Sequence, residues 1–78
     1  MNPKLKALID GLAEDVKSTV ASIESGIKTT KDNYGPYMNL ISTLSKGDAK
    51  IANVISLALI QAGANVNGVG SAMRILHG

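Results

Sequence analysis

Between Ile51 and Met73 the chain carries no charged side chain. A run of this length must be covered, either by lipid or by protein. Asn53, Gln61, Asn65 and Asn67 would be costly in lipid, and Gly63, Gly68 and Gly70 interrupt the run, so a membrane-active helix is an unfavoured alternative. The favoured expectation is a buried helix over about residues 49–62, a glycine-rich break at 63–70 and a further helical segment from Ser71. On the first of these, Ile51, Val54, Ile55, Leu57, Ala58, Leu59, Ile60 and Ala62 cover most of the circumference. Only Asn53 and Ser56 form a polar strip, a pattern expected of a helix buried on most sides.

The N-terminal part offers a cover. Asn2-Pro3 is a helix opening, because Asn caps and Pro fits the first turn. Leu5, Leu8, Ile9, Leu12, Val16, Val20, Ile23 and Ile27 then recur at spacings of three and four, filling a stripe roughly 120° wide. Lys4, Lys6, Asp10, Glu14, Lys17, Glu24 and Lys28 fall outside it, and Glu24 with Lys28 is spaced for an i,i+4 pair. The pattern predicts an amphipathic helix over about residues 3–31 (segment 1–32), about 40 Å long. Ser, Thr and Gly weaken its second half, and Gly26 is a candidate early end.

Lys31-Asp32-Asn33-Tyr34-Gly35-Pro36 marks a turn, centred on residues 33–36. Residues 37–78 then hold short helices. Met38, Leu40, Ile41 and Leu44 give the first of them an apolar side, Gly47 ends it, and Asp48 caps the next. The fold class expected is all-α, with three to four helices in a single domain over residues 1–78, the long N-terminal helix packed on the C-terminal helical segment.

Such a core has no Phe, Trp or Cys and only two Tyr among 78 residues. Aliphatic side chains bury less area than aromatic ones, and no disulfide or zinc staple is available, so association is an expected source of stability. The formal net charge is +2, too little by itself to imply nucleic acid. Absence of Cys fits a reducing compartment, no apolar signal region opens the chain, and the expected location is cytoplasm or virion.

Chemistry-bearing constellations are sparse. His77 is the only His and sits beside the terminus. Asp10, Glu14 and Asp15 fall on the polar side of the first helix and read as solvated. Gly63 and Gly68 begin a phosphate-loop spacing but lack the Lys and Ser or Thr that must follow. No enzyme activity, cofactor or metal is therefore expected. Leu5, Ile9, Leu12, Val16 and Ile23 are candidates for an interaction surface. Ile9, Leu12, Val16, Thr19 and Ile23 carry a short heptad-like pattern, weakened by the polar Thr19. Tyr34 and Tyr37 bracket the turn; they either anchor a partner or close the loop over the core. Residues 57–76 also admit a helix-turn-helix, with Asn65, Asn67 and Arg74 as candidate DNA contacts. Against it, Gly68 and Gly70 weaken the recognition helix, Arg74 is its only cation, and Asn at a helix start is usually a cap.

Tyr34-Gly35-Pro36-Tyr37-Met38-Asn39-Leu40 resembles stretches of small proteins of tailed bacteriophages. So does Ala58-Leu59-Ile60-Gln61-Ala62-Gly63-Ala64-Asn65, running on through Gly68-Val69 to Ala72-Met73-Arg74-Ile75-Leu76. The resemblance covers under half of the chain, implies a viral origin and carries over no functional residue. The function expected is non-enzymatic: a structural or interaction protein whose partner is itself or a larger assembly, in a phage virion or in host takeover. A small DNA-binding regulator is the alternative.

Overall fold

The computed structural model describes residues 2–78, and among them all regular structure is helical. Four helices follow in order: α1 (Pro3–Gly26), α2 (Gly35–Ser45), α3 (Ala49–Gln61) and α4 (Val66–His77). Asn2 caps α1, its Oδ1 accepting from the Lys4 amide at 2.8 Å. Asp48 caps α3 by accepting from the amides of Lys50 and Ile51 at 2.9 and 3.2 Å. Asn65 caps α4 by accepting from the Gly68 amide at 3.0 Å. Each cap satisfies amides that the helix itself leaves unpaired.

Two boundaries differ from the sequence expectation. The first helix ends at Gly26 rather than near residue 31, because Ile27 turns extended (φ −137°, ψ 117°). Residues 27–34 then form the connection, longer than the expected turn at 33–36. The break expected at 63–70 shrinks to residues 62–65: Gly63 takes φ 106°, and the Asn65 cap starts α4 at Val66, with Gly68 and Gly70 inside it. Capping and tertiary packing outweigh the low helix propensity of two glycines.

Helix α3 is the central element, packed against each of the other three, with α2 also resting on α4. The main core joins Val20, Tyr37, Ile41, Ala52, Ile55, Leu59, Ala64, Val69 and Ala72. A smaller cluster of Ile9, Ala13 and Ala58 seats the first half of α1 on α3, with Leu5, Leu12, Val54 and Ala62 at its margin. The long N-terminal helix therefore does pack on the C-terminal helices. The radius of gyration is 11.5 Å, as expected of a compact chain of this length.

The chain between α2 and α3 is tight. Lys46 adopts the left-handed region (φ 50°) and Gly47 follows at φ 83°. Just before them, the Ser45 hydroxyl is buried without a hydrogen-bond partner among the described residues. An unpaired buried hydroxyl costs about 1–3 kcal/mol. Ser45→Ala is accordingly expected to raise stability by about 1 kcal/mol, read as a higher urea midpoint at unchanged m-value.

Candidate functional site

Three features outside the plain core could carry function: a carboxylate-centred knot, a polar groove beside it and an uncovered apolar face. The knot positions the groove. Glu24, near the end of α1, accepts at Oε1 from the hydroxyls of Thr29 and Tyr37, each at 2.7 Å, and from the Asn65 amide at 3.0 Å. Its Oε2 accepts more weakly from the Thr29 amide at 3.4 Å. One side chain thus ties together the end of α1, the connection after it, α2 and the turn before α4. The i,i+4 pair expected between Glu24 and Lys28 is replaced by these bonds.

The electrostatics follow from that geometry. Burial is the largest influence on the Glu24 carboxyl and opposes its charge. The hydrogen bonds from Thr29, Tyr37 and Asn65 outweigh it, leaving the carboxyl below its ordinary 4.5. Burial, then the bond to Glu24 and its charge, push the Tyr37 phenol up to about 12. The fold therefore favours charged Glu24 and neutral Tyr37. The carboxylate's contribution is complete above about pH 4.5 and is lost as pH falls through the lower folded value. The phenol's contribution is complete below pH 10 and is lost as pH rises from 10 to 12. Urea midpoints are expected to be flat between these limits and to fall outside them, with the acid-side fall reduced in Glu24→Gln.

The groove lies between the 30–33 turn and the outer face of α4. It has a volume of about 550 Å³ and is lined by Lys31, Asp32, Val66, Asn67, Gly70, Ser71 and Arg74. The turn is held from within. Thr30 Oγ1 accepts from the amides of Asp32 and Asn33 at 3.1 and 3.0 Å. Asn33 also donates from Nδ2 to the Lys28 carbonyl at 3.3 Å. Behind it Thr29 is buried against Gly68, where a Cβ would lie 3.2 Å from Thr29 Cβ and Oγ1. Of the residues read as DNA contacts, Asn67 and Arg74 meet in this groove. Asn65 does not: its side chain caps α4 and its amide binds Glu24. Lys31, from a different segment, was not legible as a third member.

The apolar face lies along α1 and α3. At 100° per residue, the buried Ile9, Ala13 and Val20 centre about 60° away from the middle of the α1 stripe. The chain's own cover is therefore off-centre and leaves Leu8 53 % exposed at the other edge. Ile51, on α3, is 47 % exposed. Leu8, Leu12, Lys50, Ile51, Val54 and Ile55 enclose an open groove of about 310 Å³. A second one, of about 490 Å³, runs along Lys6, Ile9, Leu57, Ile60 and Gln61. The expectation that α3 is buried on most sides thus gives way: Ile51 and Leu57 are exposed, whereas Ser56 is buried and donates to the Asn53 carbonyl at 2.8 Å.

The remaining interaction candidates divide. Ile9 and Tyr37 are buried in the chain's own core, so Tyr37 closes the loop rather than presenting itself to a partner. Leu5, Leu12, Val16, Ile23 and Tyr34 are half-buried beside the two clusters. On the polar side of α1, Asp10 pairs with Lys6 at 2.9 Å and also accepts from Gln61. Those two hydrogen bonds, Gln61 first, lower its carboxyl below 3.8. Among the described residues no group of His, Cys, Asp or Glu is gathered as a metal site, and no helix is long and apolar enough to cross a membrane. No family model matches the chain, and comparison with curated proteins and with solved structures returns no match.

Proposed function

We propose that this is a non-enzymatic interaction protein that self-associates through the apolar face of α1 and α3. The observation that carries the reading is the off-centre cover of the α1 stripe. Leu8 and Ile51 line one groove, and both are large aliphatic residues left substantially in water. Contiguous exposed apolar surface on a small domain marks an interaction site. A second copy is the occupant best suited to it. The chain's core is small and, Tyr37 apart, aliphatic, so burying this face in a dimer adds the apolar area that a lone copy lacks. The resemblance of two segments to small tailed-phage proteins fits a component of a virion or of host takeover, where self-association is a working property.

Size-exclusion chromatography coupled to light scattering tests the reading. The expected mass at micromolar concentration is a multiple of 8.1 kDa. A single copy with a cooperative melt removes it.

A further inference from the structure

The polar groove beside α4 lies apart from the apolar face and has its own construction. Its two cations come from different segments, Lys31 from the 30–33 turn and Arg74 from the last turn of α4. Among the described residues, the ion pair is Lys6 with Asp10, and neither Lys31 nor Arg74 donates a side-chain hydrogen bond. A guanidinium presents five donors in a planar fork suited to a carboxylate. Here Arg74 is exposed and lines the groove.

The floor between the cations is low. A Cβ added at Gly70 would meet nothing within 4 Å among the described residues, so an extended backbone can approach the helix closely. Asn67 and Ser71 add an amide and a hydroxyl, and Val66, 60 % exposed, adds an aliphatic contact. The turn carrying Lys31 and Asp32 is stiffened by Thr30 and Asn33 and pinned through Thr29 to Glu24. Yet the Lys31 and Asp32 side chains bond to nothing among the described residues. Ordering a turn in advance lowers the entropy lost when a ligand binds it.

The charge pattern selects the ligand. Asp32 lies in the same groove, so one anionic group on Lys31 and Arg74 is admitted more readily than a chain of closely spaced phosphates. Among the described residues no aromatic side chain lines the groove to stack a base. A peptide suits the groove better, because it offers separated carboxylates, amide donors for Asp32 and aliphatic side chains for Val66.

We propose that the groove between the 30–33 turn and α4 binds a short acidic peptide segment of a partner protein. A carboxylate of that segment sits on Arg74 and Lys31, its backbone runs over Gly70, and a neighbouring aliphatic side chain rests on Val66.

Titration of the ¹⁵N-labelled full chain with an octapeptide carrying Glu at every fourth position among Leu and Ser tests this, with decathymidylate in a parallel arm. Saturable amide shifts are expected at Lys31, Asn67, Gly70, Ser71 and Arg74. At least a tenfold weakening is expected in Arg74→Gln and in Lys31→Gln, whose spectra otherwise stay native. No groove shifts at millimolar peptide would overturn the proposal. So would shifts centred on Leu8 and Ile51, or tighter binding of decathymidylate in the same groove.

Discussion

Glu24→Ala is expected to lower stability by about 3 kcal/mol and the melting temperature by more than 10 °C, on the scale of a domain this small. The substitution removes the acceptor shared by the Thr29 hydroxyl, the Tyr37 hydroxyl and the Asn65 amide. Tyr37 is fully buried, so its hydroxyl cannot turn to water. An unpaired buried donor costs about 1–3 kcal/mol, and bonds to a charged acceptor lie at the upper end of the usual range. Glu24→Gln keeps the shape and one acceptor oxygen but adds a donor facing other donors, so a loss of about 1–2 kcal/mol is expected. Tyr37→Phe combined with Glu24→Gln is expected to cost less than the sum of the two, because both remove the same bond. Chemical denaturation of the four proteins reads the coupling. Additive losses would mean that the hydroxyl and carboxylate act independently.

Gly68→Val is expected to cost about 3 kcal/mol, whereas a substitution at Gly70 of the same helix relieves rather than strains it. The two glycines have similar backbone conformations and differ in their neighbours. A Cβ at position 68 would meet Thr29 at 3.2 Å and the Thr30 carbonyl at 3.4 Å, while position 70 is open. Thr29 cannot step aside without breaking its bonds to Glu24. Overpacking a held contact typically costs 1–3 kcal/mol, and β-branching adds a small helix penalty. Gly70→Ala is expected to gain about 0.5–1 kcal/mol from helix propensity alone. Thermal melts followed by circular dichroism check the contrast; equal effects at the two positions would show that Gly68 is no contact point.

Helix number, caps and the larger aliphatic core positions of α1, α2 and α3 were legible because they depend on local rules, whereas the buried Ala13, Ala52, Ala64 and Ala72 were not. Asn2, Asp48, Gly63 and the three- and four-residue spacings each act within one or two turns of chain. The end of α1 was less so. Gly26 stood out as weak, but what stops the helix is Glu24 reaching forward to Thr29 and across to Tyr37 and Asn65. Those partners lie up to 41 positions away. One signal was present: Glu24 falls about 40° beyond Val20, at the margin of the apolar stripe rather than opposite it. The groove was half legible, since Asn67 and Arg74 are seven residues apart on one helix face. Lys31 joins them only because Gly68 lets the turn come close. The uncovered side of α3 had its signal too, since one amphipathic stripe is too narrow to cover a helix that is apolar nearly all round.

In the proposed assembly, Leu8 and Ile51 belong to a surface that a second copy covers. Sedimentation equilibrium of the native chain beside the double variant Leu8→Glu, Ile51→Glu tests it most directly. Both residues are substantially exposed within one copy, so the variant is expected to keep its helical circular dichroism. The native chain is expected to sediment as a multiple of 8.1 kDa at tens of micromolar, and the variant as a single copy. A native chain that stays at one copy at that concentration would contradict the account, as would a variant that associates as the native chain does.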